Sequence, residues 1–296
     1  MVITQWFIIC FQFLFSHLSV HCENRNYKML TMISWFTAFS SLSYFFIYFV
    51  LNLSGATVTD WQCKGKKLLF LSQDSVFDNK KAIRGGIPLV FPNFGPWSLG
   101  PQHGFARISR WSLETGPTKD SNGDVTAVFS LTDNDDTRKM WNHKLLINSC
   151  KCRHDSFDFT CLLHTYFQLQ DVTKSTVTGL KGLRFIDKVQ DGATCAETRD
   201  LVMVTEHTDR VYEGAASDHV LNGVSDGSVD ITIQKSNLPD TVVWNPWDKL
   251  AAKMGDFGDT EWPNMLCVEA GLVSDRQVLQ QGESFSCSQT LTVSKS

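Results

Sequence analysis

Residues 125–131 read VTAVFSL, a short run rich in β-branched side chains in which apolar positions partly alternate with small or polar ones. This pattern is typical of a β-strand that packs one face against a core. Four further runs of this kind stand at 56–61 (ATVTDW), 201–204 (LVMV), 229–233 (VDITI) and 288–293 (SQTLTV). Turn-forming pairs such as Asp191-Gly192 and Asn222-Gly223 punctuate the chain between the runs. The sequence therefore predicts many short strands joined by turns.

Helical patterns are almost missing from the sequence after residue 60. Apart from a turn or two expected around residues 247–254, no amphipathic period of 3.6 residues extends over any length. Many short strands with frequent turns indicate an all-β protein, built as a sandwich or a barrel. Neither an internal repeat nor a low-complexity linker divides the sequence. Residues 55–296 are therefore predicted to form one domain.

The overall composition argues against some partners. Twenty-seven basic and thirty-one acidic residues give a formal net charge of −4, and no basic run suggests nucleic acid. An anionic ligand must then be held by a few placed cations rather than by an overall field. The nine cysteines are odd in number and irregularly spaced, and Cys150 and Cys152 form the one close pair. They are interpreted as reduced thiols of a cytoplasmic protein, with no metal site among them.

Residues 1–54 form an apolar segment unlike the rest of the chain. The stretches 1–22 and 29–59 contain no Lys, Arg, Asp or Glu, and residues 32–53 are long enough to span a bilayer as a helix. The first stretch lacks the positive start of a usual signal peptide. Three interpretations stay open: a membrane anchor, a cleaved targeting sequence, or a non-native start. Membrane association is expected only through residues 1–50.

Two ionisable residues stand among apolar neighbours. His164 follows Leu162 and Leu163, and it is either a core histidine bonded to a carbonyl or a general acid working near neutral pH. Glu269 lies between Val268 and Ala270. A carboxylate in such surroundings is costly to bury, so it either pairs with an arginine or lines a wet or ligand-filled cavity.

Two arginines stand beside small residues. Arg84 precedes Gly85 and Gly86, and Arg107 follows Ala106. Small neighbours allow a ligand to approach the backbone, and two planar guanidinium groups are well matched to a phosphate. Taken singly, each would more often be a partner in a surface salt bridge.

Eight ordered segments together resemble the glucose-6-phosphate 1-epimerase (hexose-6-phosphate mutarotase) family of the aldose 1-epimerase superfamily. They are AIRGGIPLVFPNFG (82–95), GPQHGFAR (100–107), TRKMWNHK (137–144), LHTYF (163–167), GLKGLRFIDK (179–188), HTDRVYEG (207–214), VVWNPWDK (242–249) and CVEAG (267–271). The resemblance runs from about residue 55 to the C-terminus. It implies a large antiparallel β-sandwich of the galactose mutarotase type, preceded here by the atypical apolar segment.

The resemblance also implies the reaction and the residues of the site. The chain is expected to interconvert the α and β anomers of a hexose 6-phosphate as a monomer and without a cofactor. His164 matches the catalytic acid and Glu269 the catalytic base, and these two groups are expected to face each other across a gap the size of a pyranose ring. The implied substrate-binding residues are Arg84, Gln102, Arg107 and Asp209, with His103 assisting at the sugar ring.

Two departures from the family pattern leave alternatives open. The apolar segment replaces the first strands, and the stretch before His164 is short by about one hairpin. The first alternative is an aldose 1-epimerase that acts on unphosphorylated sugars. The second is a catalytically impaired carbohydrate-binding protein with the same fold, since fold and function are separable.

Overall fold

The computed structural model describes the backbone of residues 2–6, 10–14, 18–21, 29–36, 45–119, 124–141, 146–147, 150–151, 156–215, 218–281 and 283–295. Within these ranges, side chains are described for residues 49–118, 126–141, 147, 156–215, 218–281 and 283–293. Strands dominate. The first twelve are β1 (Val2–Trp6), β2 (Cys10–Leu14), β3 (Leu18–His21), β4 (Met29–Phe36), β5 (Phe45–Asn52), β6 (Thr57–Cys63), β7 (Lys66–Lys67), β8 (Leu89–Val90), β9 (Ser112–Lys119), β10 (Asp124–Thr132), β11 (Leu146–Ile147) and β12 (Cys150–Lys151).

The second half of the chain carries the remaining strands. They are β13 (Phe157–Leu163), β14 (Tyr166–Gln168), β15 (Thr176–Val177), β16 (Arg184–Asp187), β17 (Ala193–Ala196), β18 (Thr208–Tyr212), β19 (His219–Val224), β20 (Val229–Ser236), β21 (Asp240–Asn245), β22 (Met265–Leu279), β23 (Ser284–Phe285) and β24 (Ser288–Lys295). The helices of the described residues are short: α1 (Asp135–Met140), α2 (Trp247–Ala251) and four 3₁₀ turns at Ala106–Ile108, Val172–Lys174, Lys188–Gln190 and Trp262–Asn264.

Two large antiparallel sheets organise the described strands. The first runs in the order β11-β10-β2-β1-β24-β20-β19-β15, with β9 beside β10. The second runs in the order β17-β16-β18-β21-β22-β13-β8, with β14 beside β22. A five-stranded sheet (β3 to β7 in sequence order) and the pair β12-β23 complete the pairing. The predicted all-β, antiparallel architecture is confirmed.

One buried apolar cluster joins the two large sheets. Phe129 and Ile231 come from the first sheet, and Phe159 and Val268 come from the second. All four side chains are almost fully buried. Sheets that share one core in this way form the layers of a sandwich. Truncating a buried aromatic such as Phe159 to alanine typically costs about 3–5 kcal/mol.

Most of the predicted elements are confirmed, and two are corrected. The runs at 56–61, 125–131, 229–233 and 288–293 lie in β6, β10, β20 and β24, and the helical turn near residue 247 is α2. The run 201–204 forms no strand, because Val202 makes a single bridge to Val177 while Leu201 and Met203 face solvent. Asn222-Gly223 is a bulge inside β19, not a turn, and Gly223 has a φ of +84°.

The short helix α1 was not predicted from the sequence. It begins with a capping box, in which the Asn134 side chain accepts from the backbone N–H of Thr137 and the Thr137 hydroxyl receives the N–H of Asn134. Local hydrogen bonds of this kind stabilise a helix end without an apolar face. The buried residue of α1 is the polar Thr137, so the helix has no apolar periodicity from which it could be predicted.

The backbone of the apolar segment joins the sheets. Strand β1 pairs with β24, β2 pairs with β10, and β5 pairs with β6. Among the described residues, no helix has both the length and the apolar character needed to cross a bilayer. The boundary at residue 54 stays a prediction, as do the three interpretations of the segment, because much of it lies outside the described residues. The shortened stretch before His164 also falls largely outside them.

Candidate active site

The second large sheet positions the two ionisable residues predicted to do the chemistry. His164 occupies the break between β13 and β14, where the chain leaves one pairing with β22 and enters the next. Leu163 pairs with Ala270 and Tyr166 pairs with Cys267, so His164 lies opposite Glu269 on β22. Pairing register thus brings together two residues that are far apart in sequence.

Glycines explain how the loop that carries Arg84 approaches the sheets. Gly85 and Gly86 both have positive φ angles, of +132° and +67°. A Cβ atom at Gly86 would lie 2.0 Å from the carbonyl oxygen of Val58, and one at Gly85 would lie 2.5 Å from that of Phe70. Only glycine fits both contacts. The RGG motif therefore holds Arg84 at the start of a segment whose backbone lies in close contact with the backbone of Val58 and Phe70.

A second tight turn positions His103 and Arg107. Gly104 has a φ of +72°, and a Cβ atom there would lie 2.1 Å from the carbonyl oxygen of Phe91. His103 itself adopts a left-handed φ of +66°, and its Nδ1 accepts from the backbone N–H of Gly95 at 3.2 Å. Arg107 follows on a 3₁₀ turn and donates to the carbonyl oxygen of Gln102 at 2.9 Å.

A cavity of about 480 Å³ collects every residue that the sequence singled out. This volume lies within the usual range for small-molecule sites. The predicted residues that line it are Arg84, Gln102, His103, Arg107, His164, Asp209 and Glu269. Their individual roles stay predictions.

His164 and Glu269 are in direct contact. Nδ1 of His164 lies 3.4 Å from Oε1 of Glu269, and both side chains are at least nine-tenths buried. Tyr166 stacks on the imidazole with ring centroids 4.6 Å apart, and Trp244 meets it edge-on at 5.9 Å. The two groups therefore stand side by side rather than across a gap the width of a sugar ring, which corrects the expected spacing.

Burial decides the protonation of this pair. It lowers the pKa of His164 well below its ordinary value, and the positive charges of Arg107 and Arg84 lower it further. Burial also raises the pKa of Glu269 well above its ordinary value, an effect that Asp209 strengthens and that Lys188 and Arg107 oppose. Desolvation disfavours both charged forms. In the substrate-free site burial therefore favours the uncharged forms of both groups.

The two arginines differ in how much of their charge is compensated. Arg84 binds Asp256 through two parallel hydrogen bonds of 3.2 and 3.1 Å and also donates to the hydroxyl of Tyr166 at 3.1 Å. Arg107 has no carboxylate within 4.0 Å among the side chains that the structure describes, and its buried Nε has no hydrogen-bond partner there. Burial lowers the pKa of Arg107 to about 10, so it remains charged at neutral pH.

Sequence reasoning missed three residues around the cavity, Lys188, Trp244 and Asp256. Lys188 lies on its rim with Nζ 4.0 Å above the ring of Phe94. No carboxylate lies within 4.0 Å of it among the described side chains. Trp244 lines the wall, and Asp256 holds Arg84. Lys188 and Trp244 stand inside the motifs at 179–188 and 242–249, but only the structure shows that they reach the site.

Three buried side chains have the donor types of a metal site. One ligand atom from each of His164, Cys267 and Glu269 lies within 4.8 Å of the other two. Cys267 and Glu269 are two positions apart on β22, so their side chains leave the same face of the strand.

Comparison with known proteins places the chain in a family. The family model described as aldose 1-epimerase matches residues 48–292. The chain belongs to the aldose 1-epimerase family. Among its relatives, a protein of Cenchrus ciliaris named "Putative glucose-6-phosphate 1-epimerase" is 34% identical over 260 residues, covering 79% of this chain and 77% of the relative. A protein of Escherichia coli with the same name is 34% identical over 256 residues, with coverages of 82% and 86%.

Solved structures show the same sandwich. The crystal structure of a "putative mutarotase" from Salmonella typhimurium aligns with a TM-score of 0.78 at 28% identity, over 94% of this chain and 97% of that one. A galactose 1-epimerase from Lactobacillus acidophilus shares the fold with a TM-score of 0.66 at 14% identity, over 94% and 98%. The predicted galactose mutarotase type of sandwich is confirmed. As a member of the aldose 1-epimerase family, the chain is an isomerase that acts on a small sugar.

Proposed function

We propose that this epimerase interconverts the α and β anomers of a hexose 6-phosphate. The observation that carries the proposal is one cavity that holds a buried His164–Glu269 pair together with two cations, Arg107 and Lys188, that lack an acidic partner among the described side chains. The pair suits proton transfer, and the cations suit a phosphate. The name carried by the relatives from Cenchrus ciliaris and Escherichia coli agrees with this substrate.

The direct contact between His164 and Glu269 fits anomer exchange. Ring opening removes the proton from the O1 hydroxyl and adds one to O5, and both oxygens are bonded to C1. Two groups that stand side by side can therefore serve both atoms. Glu269 takes the O1 proton and His164 protonates O5, the C1–C2 bond rotates, and the same groups return their protons as the ring closes on the other face of C1. No net proton is consumed.

The protonation of the pair suits a reversible reaction. The ionised pair, with a charged imidazolium and a carboxylate, is the form that starts ring opening. The neutral pair is the form that remains once the open-chain sugar has formed, and it holds the same number of protons. Because burial favours the neutral form, the site stabilises the enzyme state that accompanies the open-chain intermediate.

The phosphate is proposed to favour the ionised form. Arg107 and Arg84 lower the pKa of His164 through their positive charge. A phosphate dianion bound at Arg107 offsets that charge, so His164 gains its proton more readily when a phosphorylated sugar is present. Arg84, whose guanidinium is already bonded to Asp256, is proposed to shape the loop more than to bind the phosphate directly.

The remaining polar and aromatic groups are proposed to hold the sugar. Asp209 on β18 and Gln102 line the cavity and offer acceptors and a donor for ring hydroxyls. Half-buried Trp244 provides an apolar surface beside the His164 ring. His103, whose pKa is lowered to about 2 by burial and by nearby positive charges, is neutral and contributes hydrogen bonds only.

Anomer exchange on the purified full-length chain tests the proposal. Two-dimensional exchange NMR would follow the α and β signals of glucose 6-phosphate and of glucose after subtraction of spontaneous mutarotation. The proposal expects faster exchange of the phosphorylated sugar at equal concentrations. Equal or greater acceleration of glucose would make the chain an aldose 1-epimerase of free sugars. Binding of either sugar without acceleration would indicate an impaired carbohydrate-binding protein.

A further inference from the structure

The structure contains one tight group of nitrogen, sulfur and oxygen donors. A ring nitrogen of His164, Sγ of Cys267 and a carboxylate oxygen of Glu269 all lie within 4.8 Å of one another. Cys267 is fully buried, Glu269 is 1% exposed and His164 is 7% exposed. Anomer exchange as described above uses the imidazole and the carboxylate but has no role for the thiol.

Two of these three residues carry a side-chain atom that lacks a hydrogen-bond partner. Among the described residues, Nδ1 of His164 and Oε2 of Glu269 are buried side-chain atoms without one. The contact of Nδ1 with Oε1 of Glu269, at 3.4 Å, is too long and too poorly aligned to satisfy either group fully. Buried polar atoms are nearly always bonded, so unsatisfied ones on neighbouring side chains indicate a ligand between them.

The donor set selects the class of ligand. A thiolate, an imidazole and a carboxylate are the ligands that proteins use for zinc, whereas magnesium and calcium prefer oxygen alone. Bond lengths of about 2.0–2.3 Å around a tetrahedral ion place its ligand atoms about 3.3–3.8 Å apart. Side-chain movements on the order of 1 Å therefore close the present group around an ion. His164 and Glu269 line the cavity, which leaves a fourth position open to solvent or substrate.

We propose that His164, Cys267 and Glu269 bind Zn²⁺, or a divalent ion of similar softness, and that the bound ion blocks the epimerase. The ion occupies both proton-transfer groups, so neither can exchange protons with a sugar. Binding displaces the thiol proton of Cys267 and the carboxyl proton of Glu269.

Cobalt absorption tests the metal site without reference to activity. Co²⁺ is titrated into the full-length protein, and the near-ultraviolet band of sulfur-to-cobalt charge transfer is recorded. The wild-type protein and the Cys161→Ser variant are expected to show the band, since Cys161 is a buried thiol of β13 outside the group. Cys267→Ser is expected to lose it. Absence of the band in the folded wild-type protein, or its persistence in Cys267→Ser, would overturn the proposal.

Inhibition tests the consequence for catalysis, which rests on the proposed epimerase function. Anomer exchange is measured against Zn²⁺ concentration, with each variant compared with its own rate in a chelator. Wild type and Cys161→Ser are expected to share one inhibition constant, recovered by EDTA and weakened by substrate, and Cys267→Ser to need at least about tenfold more Zn²⁺. Equal sensitivity of all three proteins would refute inhibition through this site. A protein that binds Co²⁺ but exchanges no anomers would refute the function and keep the metal site.

Discussion

Nδ1 of His164 lies 3.4 Å from Oε1 of Glu269, although Glu269 lies on β22 and His164 in the break between β13 and β14. The antiparallel pairing of β13 and β14 with β22 sets this distance. A buried acid–base pair in contact can pass protons to two oxygens on one carbon without large movements. The strand pairing is therefore part of the proposed chemistry. Each residue of the site can be tested by its own substitution.

Replacing Glu269 by glutamine keeps the shape of the side chain and removes its ability to exchange a proton. We expect kcat for anomer exchange to fall by roughly 10²–10⁴-fold, the usual contribution of one general acid–base group. KM should change little, because the amide still fits the cavity. Exchange NMR on glucose 6-phosphate measures both constants. Glu283→Gln, at an exposed position before β23, serves as the matched control. Near-normal turnover in Glu269→Gln would remove this carboxyl from the mechanism.

Arg107 is expected to discriminate between phosphorylated and free sugars. Losing a charged hydrogen-bonding group costs about 1.5–3 kcal/mol, so Arg107→Ala should raise KM for glucose 6-phosphate about 10- to 100-fold and leave KM for glucose nearly unchanged. Steady-state rates on both sugars provide the measurement. The control is Arg110→Ala, which removes a nearby exposed arginine outside the cavity. Equal losses on the two sugars would show that Arg107 does not recognise the phosphate.

The sequence predicted the antiparallel architecture and the residues that line the cavity. It predicted much less well which side chains contact one another there. Alternation in VTAVFSL and the ordered motifs located β10 and all seven predicted lining residues. The partner of Arg84 could not be foreseen, because Asp256 lies in an irregular segment with no periodicity. The position of Lys188 at the cavity could not be predicted either, because in the sequence a lysine that follows β16 resembles any exposed lysine. The spacing of His164 and Glu269 depends on strand register, which local pattern does not determine.

Buried His219 is expected to make stability depend on pH. Its ring contacts the carbonyl oxygen of Thr178 and the hydroxyl of Thr241, and burial lowers its pKa to about 4. The unfolded chain, with a histidine pKa near 6.5, binds the proton first as pH falls. The contribution of neutral His219 is therefore fully present above pH 6.5 and is lost as pH falls toward 4.

This linkage predicts a loss of about 2 kcal/mol in the free energy of unfolding between pH 7 and pH 5 from His219 alone. Urea denaturation at both pH values measures it. His219→Gln keeps a neutral polar side chain and should be less stable at pH 7 but show a smaller decrease at pH 5. An identical decrease in the variant and the wild-type protein would contradict a neutral, buried His219.

Phosphate binding is expected to change the protonation of His164. In the free protein, burial and the charges of Arg107 and Arg84 keep its pKa well below the ordinary value. A dianion at Arg107 offsets those charges, so the imidazole should take up its proton at a higher pH when phosphate is bound.

Nitrogen NMR of protein labelled at histidine provides the readout, with His164 assigned from the His164→Gln variant. Inorganic phosphate should move the titration of His164 to higher pH, and sulfate should do so as well. In Arg107→Ala the titration in the free protein should already lie at higher pH, because one positive charge near the ring is gone, and phosphate should shift it less. A titration that is the same with and without phosphate would show that Arg107 does not couple the phosphate to the acid. The enzyme would then recognise the phosphate through binding alone, with no contribution to proton transfer.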